Sequence, residues 1–306
     1  MRSLLQWAGR HGTLILPFGV AVGLAVQPLA ALLRPLLAPI VFLLLLCVFI
    51  RLDLVAALAQ VRRPKVVLPA ILLTMVVMPL LTAGFLMLFP QSPGVTAALI
   101  LYTSSPPNTA GAALAFMLGL DGALAVAVIL GALILHPVVT PLFTEFVTGG
   151  AVLVPGSELG FRLALLIGGA GGAAVVVRWL MGEARQRQAG LAVDGINVVM
   201  MMMFAIGLMD GIPAQIAARP GLALGLAALA FGLHLVLNLV TALLFWRSGT
   251  GTAATMGYCA GGRNMAAAMA VLGTAVPAET WLFFAMLQFP LYLLPLLLKQ
   301  VYRRLL

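Results

Sequence analysis

Tyr102-Thr103-Ser104-Ser105-Pro106-Pro107-Asn108 and Tyr258-Cys259-Ala260-Gly261-Gly262-Arg263-Asn264 decide the fold. Both read Tyr, five residues, Asn, and they stand 156 positions apart. Carried outward without gaps, the same offset matches 96–113 to 252–269 with seven identities in eighteen positions. The alanine matches are cheap in so apolar a chain. The Tyr and Asn matches are not, because the chain holds only 4 Tyr. Each copy also carries a breaker pair inside an apolar segment. Pro106 and Pro107 lack a backbone N–H and push Ser105 out of helical geometry. Gly261 and Gly262 weaken a helix through backbone freedom. An internal repeat with a helix break at the same place in each copy is therefore expected.

The composition around these stretches belongs to a membrane. Of 306 residues, 63% are hydrophobic and 8% charged, against about 25% charged in soluble domains. A spanning helix needs roughly 20 mostly apolar residues. Ten such segments are expected at 13–31, 35–50, 66–89, 95–118, 122–144, 159–179, 191–209, 221–246, 252–274 and 280–298. They leave no room for a soluble domain. The expected fold class is an all-α polytopic membrane protein of ten transmembrane helices. Five spans per repeat is an odd number, so residues 1–150 and 151–306 form two repeats that insert with opposite topology. Inverted repeats with paired, interrupted helices point to a transporter binding site.

Charge sidedness supports the count. Ten spans put both termini on one side, with Arg2, Arg10, Arg51, Arg62, Arg63, Lys65, Arg178, Arg185, Arg187, Arg247, Lys299, Arg303 and Arg304. The other side holds Arg34, Arg162 and Arg219. Basic residues collect on the cytoplasmic side, so both termini are expected in the cytoplasm and the chain in the plasma membrane, the inner membrane of a bacterium. The partners expected are the lipid bilayer and a small organic anion. Nucleic acid is not expected, because the net charge of +9 sits in short loops beside spans. Trp7, Trp179, Trp246 and Trp281 fall near membrane edges, where indole rings are favoured. Cys47 and Cys259 read as small core residues, neither a disulfide nor a metal pair.

Arg263 stands in mid-span, where a charge costs at least about 2.5–3.5 kcal/mol and marks a functional candidate. No Asp or Glu lies near the middle of any span. The arginine either satisfies carbonyls freed at the broken helices or binds an anionic substrate. Ser104, Ser105, Asn108, Thr109 and Asn264 either bond a substrate at the crossing or heal the broken ends. His136 and His234 either carry a proton or stay neutral and hydrogen-bonded. No catalytic constellation, metal-ligand spacing or nucleophile elbow is present, so an enzyme is not expected.

Taken together, Arg62-Arg63-Pro64-Lys65 leading into Val77-Met78-Pro79, Ser105-Pro106-Pro107-Asn108-Thr109-Ala110 and Gly261-Gly262-Arg263-Asn264 resemble the bile acid:sodium symporter family. The resemblance implies ten helices in a panel domain of spans 1, 2, 6 and 7 and a core domain of spans 3–5 and 8–10. Broken spans 4 and 9 cross in the core, and organic anions move by alternating access around that crossing. The family's sodium ligands do not carry over. Their positions fall on Thr74, Gly111, Ala112, Ala125, Ile129, Cys259 and Arg263, and only the following Asn is retained, as Asn264. Thr109 matches a threonine near the family's substrate site. Sodium binding is therefore not expected, no other cofactor is implied, and proton coupling stays open. The alternatives are a sodium-coupled symporter with other ligands, or a receptor or scaffold of the same fold.

Overall fold

The computed structural model describes residues 12–52, 59–60, 63–109, 111, 115–116 and 118–305. Arg2, Trp7, Arg10 and Arg62 lie outside them. Among the described residues every regular element is helical. In chain order these are α1 (Gly12–Ala25), α2 (Gln27–Leu33), α3 (Leu37–Arg51), α4 (Pro64–Leu72), α5 (Met78–Leu88), α6 (Pro93–Ser104) and α7 (Gly122–Val147). They continue as α8 (Gly156–Leu208), α9 (Ile212–Ala218), α10 (Pro220–Leu244), α11 (Thr250–Gly261), α12 (Ala266–Leu272) and α13 (Ala278–Leu305).

Seven stretches of the described chain are long and apolar enough to cross a membrane: Gln27–Arg51, Pro64–Leu88, Gly122–Val147, Gly156–Gly182, Gln188–Ala218, Pro220–Leu244 and Ala278–Tyr302. The chain is an integral membrane protein. Among the described residues the other three expected spans are shorter helices. The segments expected as spans four and nine are cut at their breaker pairs, where α6 ends at Ser104 and α11 at Gly261.

The expected gap between spans one and two moves. Arg34-Pro35 does not break the chain but is absorbed as a 3-10 turn, Arg34–Leu36. The interruption lies at Val26, with φ −116° and ψ 72°. Pro28 follows Gln27 at the start of α2, which favours a helix start there. Gln27 also occupies the carbonyls at the end of α1, donating to Gly23 O at 2.7 Å.

Local chemistry sets the other boundaries. Ser92 caps α6 by accepting from Val95 N, and Asp121 caps α7 by accepting from Leu124 N at 2.9 Å; both satisfy N–H groups left over at a helix start. Helix α8 breaks at Gly182, whose φ of 67° is open to glycine at little cost. Between α4 and α5 the chain widens into a π-helical turn, Leu73–Val77.

Close contacts group the chain into two compact units, Met1–Leu52 with Ala164–Ala223 and Asp53–Leu163 with Leu224–Leu306. The first is joined by small-residue contacts and two ion pairs. Gly207 lets the backbone of α8 approach Leu33, Arg34 pairs with Asp210 at 3.3 Å and Arg51 with Asp194 at 2.7 Å. In the second, α13 is the buried helix. Phe283 stands edge-on to the Tyr102 ring at 5.9 Å, and Thr280 donates to Gly94 O at 2.9 Å, fixing α13 to α6. Phe161, Leu165 and Trp179 along α8 are exposed, a surface suited to lipid. Trp246 is also exposed, whereas Trp281 is buried and donates to Gly273 O at 3.0 Å.

Candidate functional site

Two helix ends meet inside the second unit. After Ser104 and after Gly261 the backbone turns extended, with ψ 152° at Ser105 and ψ 92° at Gly262. The two extended pieces pair antiparallel, Pro107 opposite Arg263. Asn108 N donates to Gly262 O at 2.7 Å, and Asn264 N donates to Pro106 O at 2.9 Å. Each bond maps onto the other under the 156-residue offset. A buried backbone group must find a partner, and here two unwound segments supply partners to each other.

The remaining carbonyls at the two helix ends converge on side chains. Arg263 is wholly buried. Its Nε donates to Ala260 O at 2.9 Å, one terminal nitrogen to Ser105 O at 3.0 Å and the other to Met78 Sδ at 3.3 Å. The Tyr102 hydroxyl donates to Gly261 O at 2.7 Å, and the Thr140 hydroxyl to Ser104 O at 2.7 Å. Helix C-termini carry partial negative charge. One guanidinium thus neutralises the ends of α6 and α11 together, with a fork of donors that a single ammonium lacks.

The expected site residues divide by depth. Ser104 and Ser105 are buried, and their hydroxyls bond back to Ile100 O and Leu101 O of α6 at 2.7 and 2.6 Å. His136 is buried on α7, its Nδ1 2.6 Å from the Thr140 hydroxyl. That hydroxyl spends its one hydrogen on Ser104 O, so Nδ1 is the donor. Asn108, Thr109 and Asn264 are half-buried. Asn264 Nδ2 lies 3.3 Å from Thr109 Oγ1, and Asn264 Oδ1 accepts from Ala266 N at 3.1 Å. The structure therefore brings Asn264 and Thr109 together at the more accessible edge, with the serines, His136 and Arg263 behind. Thr140, Met78 and the capping role of Tyr102 escaped the sequence reading. Thr140 had one signal, its four-residue spacing from His136 on a helix.

The positions matched to sodium ligands offer poor cation chemistry. Thr74 turns its hydroxyl to Ala70 O at 2.7 Å. Gly111 faces the Tyr258 ring, Ala125 packs with Tyr258 and Cys259, and Ala112 lies outside the described residues. Ile129 and Cys259 line a small cavity shared with Gly111 and His234. Hard cations take several oxygen ligands, carboxylates among them. Among the described residues this set presents a hydroxyl already turned to a carbonyl, a thiol, apolar groups and a guanidinium, which do not supply the several oxygen ligands a hard cation such as sodium takes.

The model of the Sodium Bile acid symporter family matches residues 38–178, which include the Ser105-Pro106-Pro107-Asn108 break and stop short of Arg263. No curated protein matches the chain.

Proposed function

The chain belongs to the Sodium Bile acid symporter family, and from that premise we propose that it carries small organic anions across the membrane by alternating access, with Arg263 in place of a bound sodium ion. The observation that supports this most is the guanidinium held between the carbonyls of Ala260 and Ser105. A cation bound at two helix C-termini would satisfy the same kind of partial charge. Arg263 does so permanently, so the crossing keeps its geometry without drawing on a sodium gradient.

The architecture assigned is ten spans in two inverted repeats, residues 1–150 and 151–306. Its support is the pair of backbone bonds that exchange under the repeat offset. The unit Asp53–Leu163 with Leu224–Leu306 is assigned to the core and Met1–Leu52 with Ala164–Ala223 to the panel; their bounds fall within a few residues of a division into spans 3–5 with 8–10 and spans 1, 2, 6 and 7, which supports the assignment. The distribution of Lys and Arg supports an orientation with both termini in the cytoplasm.

The anion is assigned to the half-buried edge formed by Asn108, Thr109 and Asn264. Amide and hydroxyl hydrogens suit carboxylate or sulfate oxygens, and the charge of Arg263 lies behind them. Thermal denaturation of the purified protein against a panel of carboxylate and sulfate anions tests this reading. A ligand at 100 times its Kd stabilises by about 2.7 kcal/mol. A subset of anions should raise the midpoint, their neutral amide or alcohol analogues should not, and Asn264→Ala should blunt the rise. Stabilisation by none of the anions, or equally by the neutral analogues, would refute the substrate class.

A further inference from the structure

The cavity beside the crossing is walled by His234, Tyr258, Asn108, Gly111, Ile129 and Cys259. It is small, about 10 Å³, which matches the room one water centre needs. His234 is 2% exposed, and among the described residues its Nδ1 has no hydrogen-bond partner. It is held there from behind, because Gly261 brings the α11 backbone against the His234 carbonyl and ring. A buried polar nitrogen without a partner is costly, and in a lining that is otherwise mostly apolar the side chains of Tyr258 and Asn108 supply polar groups.

A second observation explains why a phenol is present. Tyr102 spends its hydroxyl on Gly261 O. The counterpart of this bond under the 156-residue offset would run from Tyr258 to Ser105 O. Arg263 holds that carbonyl instead. Tyr258 is thereby released from the role its twin performs, and its ring lies over Gly111 at the cavity wall.

We propose that this cavity is a binding site for a single water molecule, bridging His234 Nδ1 to the polar wall formed by Tyr258 and Asn108. Water both donates and accepts, so it meets the imidazole in either tautomer. A cation is disfavoured. Among the described residues the walls offer no carboxylate, and Cys259 is a poor partner for a hard ion. The proposal deepens the functional reading and rests on it: Arg263 replaces one cation position of the family, and a neutral solvent molecule fills the space left at others, Gly111, Ile129 and Cys259.

A structure of the full-length protein at a resolution that shows ordered water, solved in sodium chloride and again in choline chloride, tests this. One peak at hydrogen-bonding distance from His234 Nδ1 should be present in both salts. In Gly111→Ala the added methyl meets the Tyr258 ring at an ordinary 3.5 Å, so folding should persist while the peak is lost. No peak in the wild-type protein, or a peak that survives in Gly111→Ala, overturns the water site and leaves the role of Arg263 standing. A peak found only in sodium overturns both.

Discussion

Arg263 holds a full charge where no part of its side chain meets solvent, and among the described residues it does so without a carboxylate partner. Its stability must come from the two carbonyls and the thioether it reaches. Arg263→Ala would leave Ala260 O and Ser105 O without these donors, each buried orphan costing about 1–3 kcal/mol. Chemical denaturation in detergent should show a loss of about 2–6 kcal/mol. Arg263→Lys should fall between, because an ammonium keeps the charge but not the fork. Wild-type stability in the alanine variant would mean that the carbonyls are satisfied by something else. The lone charge in mid-span was legible in the sequence. Its partners were not, because a hydrogen bond to a backbone carbonyl leaves no trace in residue types.

The two breaks differ in composition and agree in consequence. Proline removes donors and glycine removes side chains, and α6 and α11 each end beside their breaker pair. Such pairs are readable because they act on their own backbone. The pairing of Pro107 with Arg263 joins segments far apart in sequence, and only the repeat offset hinted at it. The two glycines at the end of α11, Gly261 and the Gly262 that follows it, also divide by what surrounds them, which the sequence does not distinguish. A Cβ on Gly261 would come within 2.6 Å of the His234 carbonyl, a backbone atom that cannot swing aside, whereas on Gly262 the nearest atom is 3.6 Å away. Gly261→Ala should therefore lower the thermal midpoint by several degrees, as an overpacking cost of about 1–3 kcal/mol implies, and Gly262→Ala should leave it near wild type. Equal effects would place the α10–α11 contact elsewhere.

At the scale of the whole molecule, hydrophobic length and charge were enough to announce a membrane protein, because the bilayer imposes both on any chain that crosses it. Finer boundaries were not legible where tertiary contacts decide them. The interruption at Val26 depends on Gln27 reaching Gly23 O and also Met209 O at 3.2 Å, and the expected break at Arg34 vanished into a helical turn anchored by Asp210. The proposed independence from sodium rests on one substitution, a guanidinium held between the ends of α6 and α11. The thermal midpoint of the purified protein, measured across rising sodium chloride with choline chloride holding ionic strength constant, tests that substitution directly. Anything that binds only the folded state raises its stability with concentration. A resident Arg263 requires the two salts to give the same midpoint at every concentration; a saturable rise specific to sodium would contradict it.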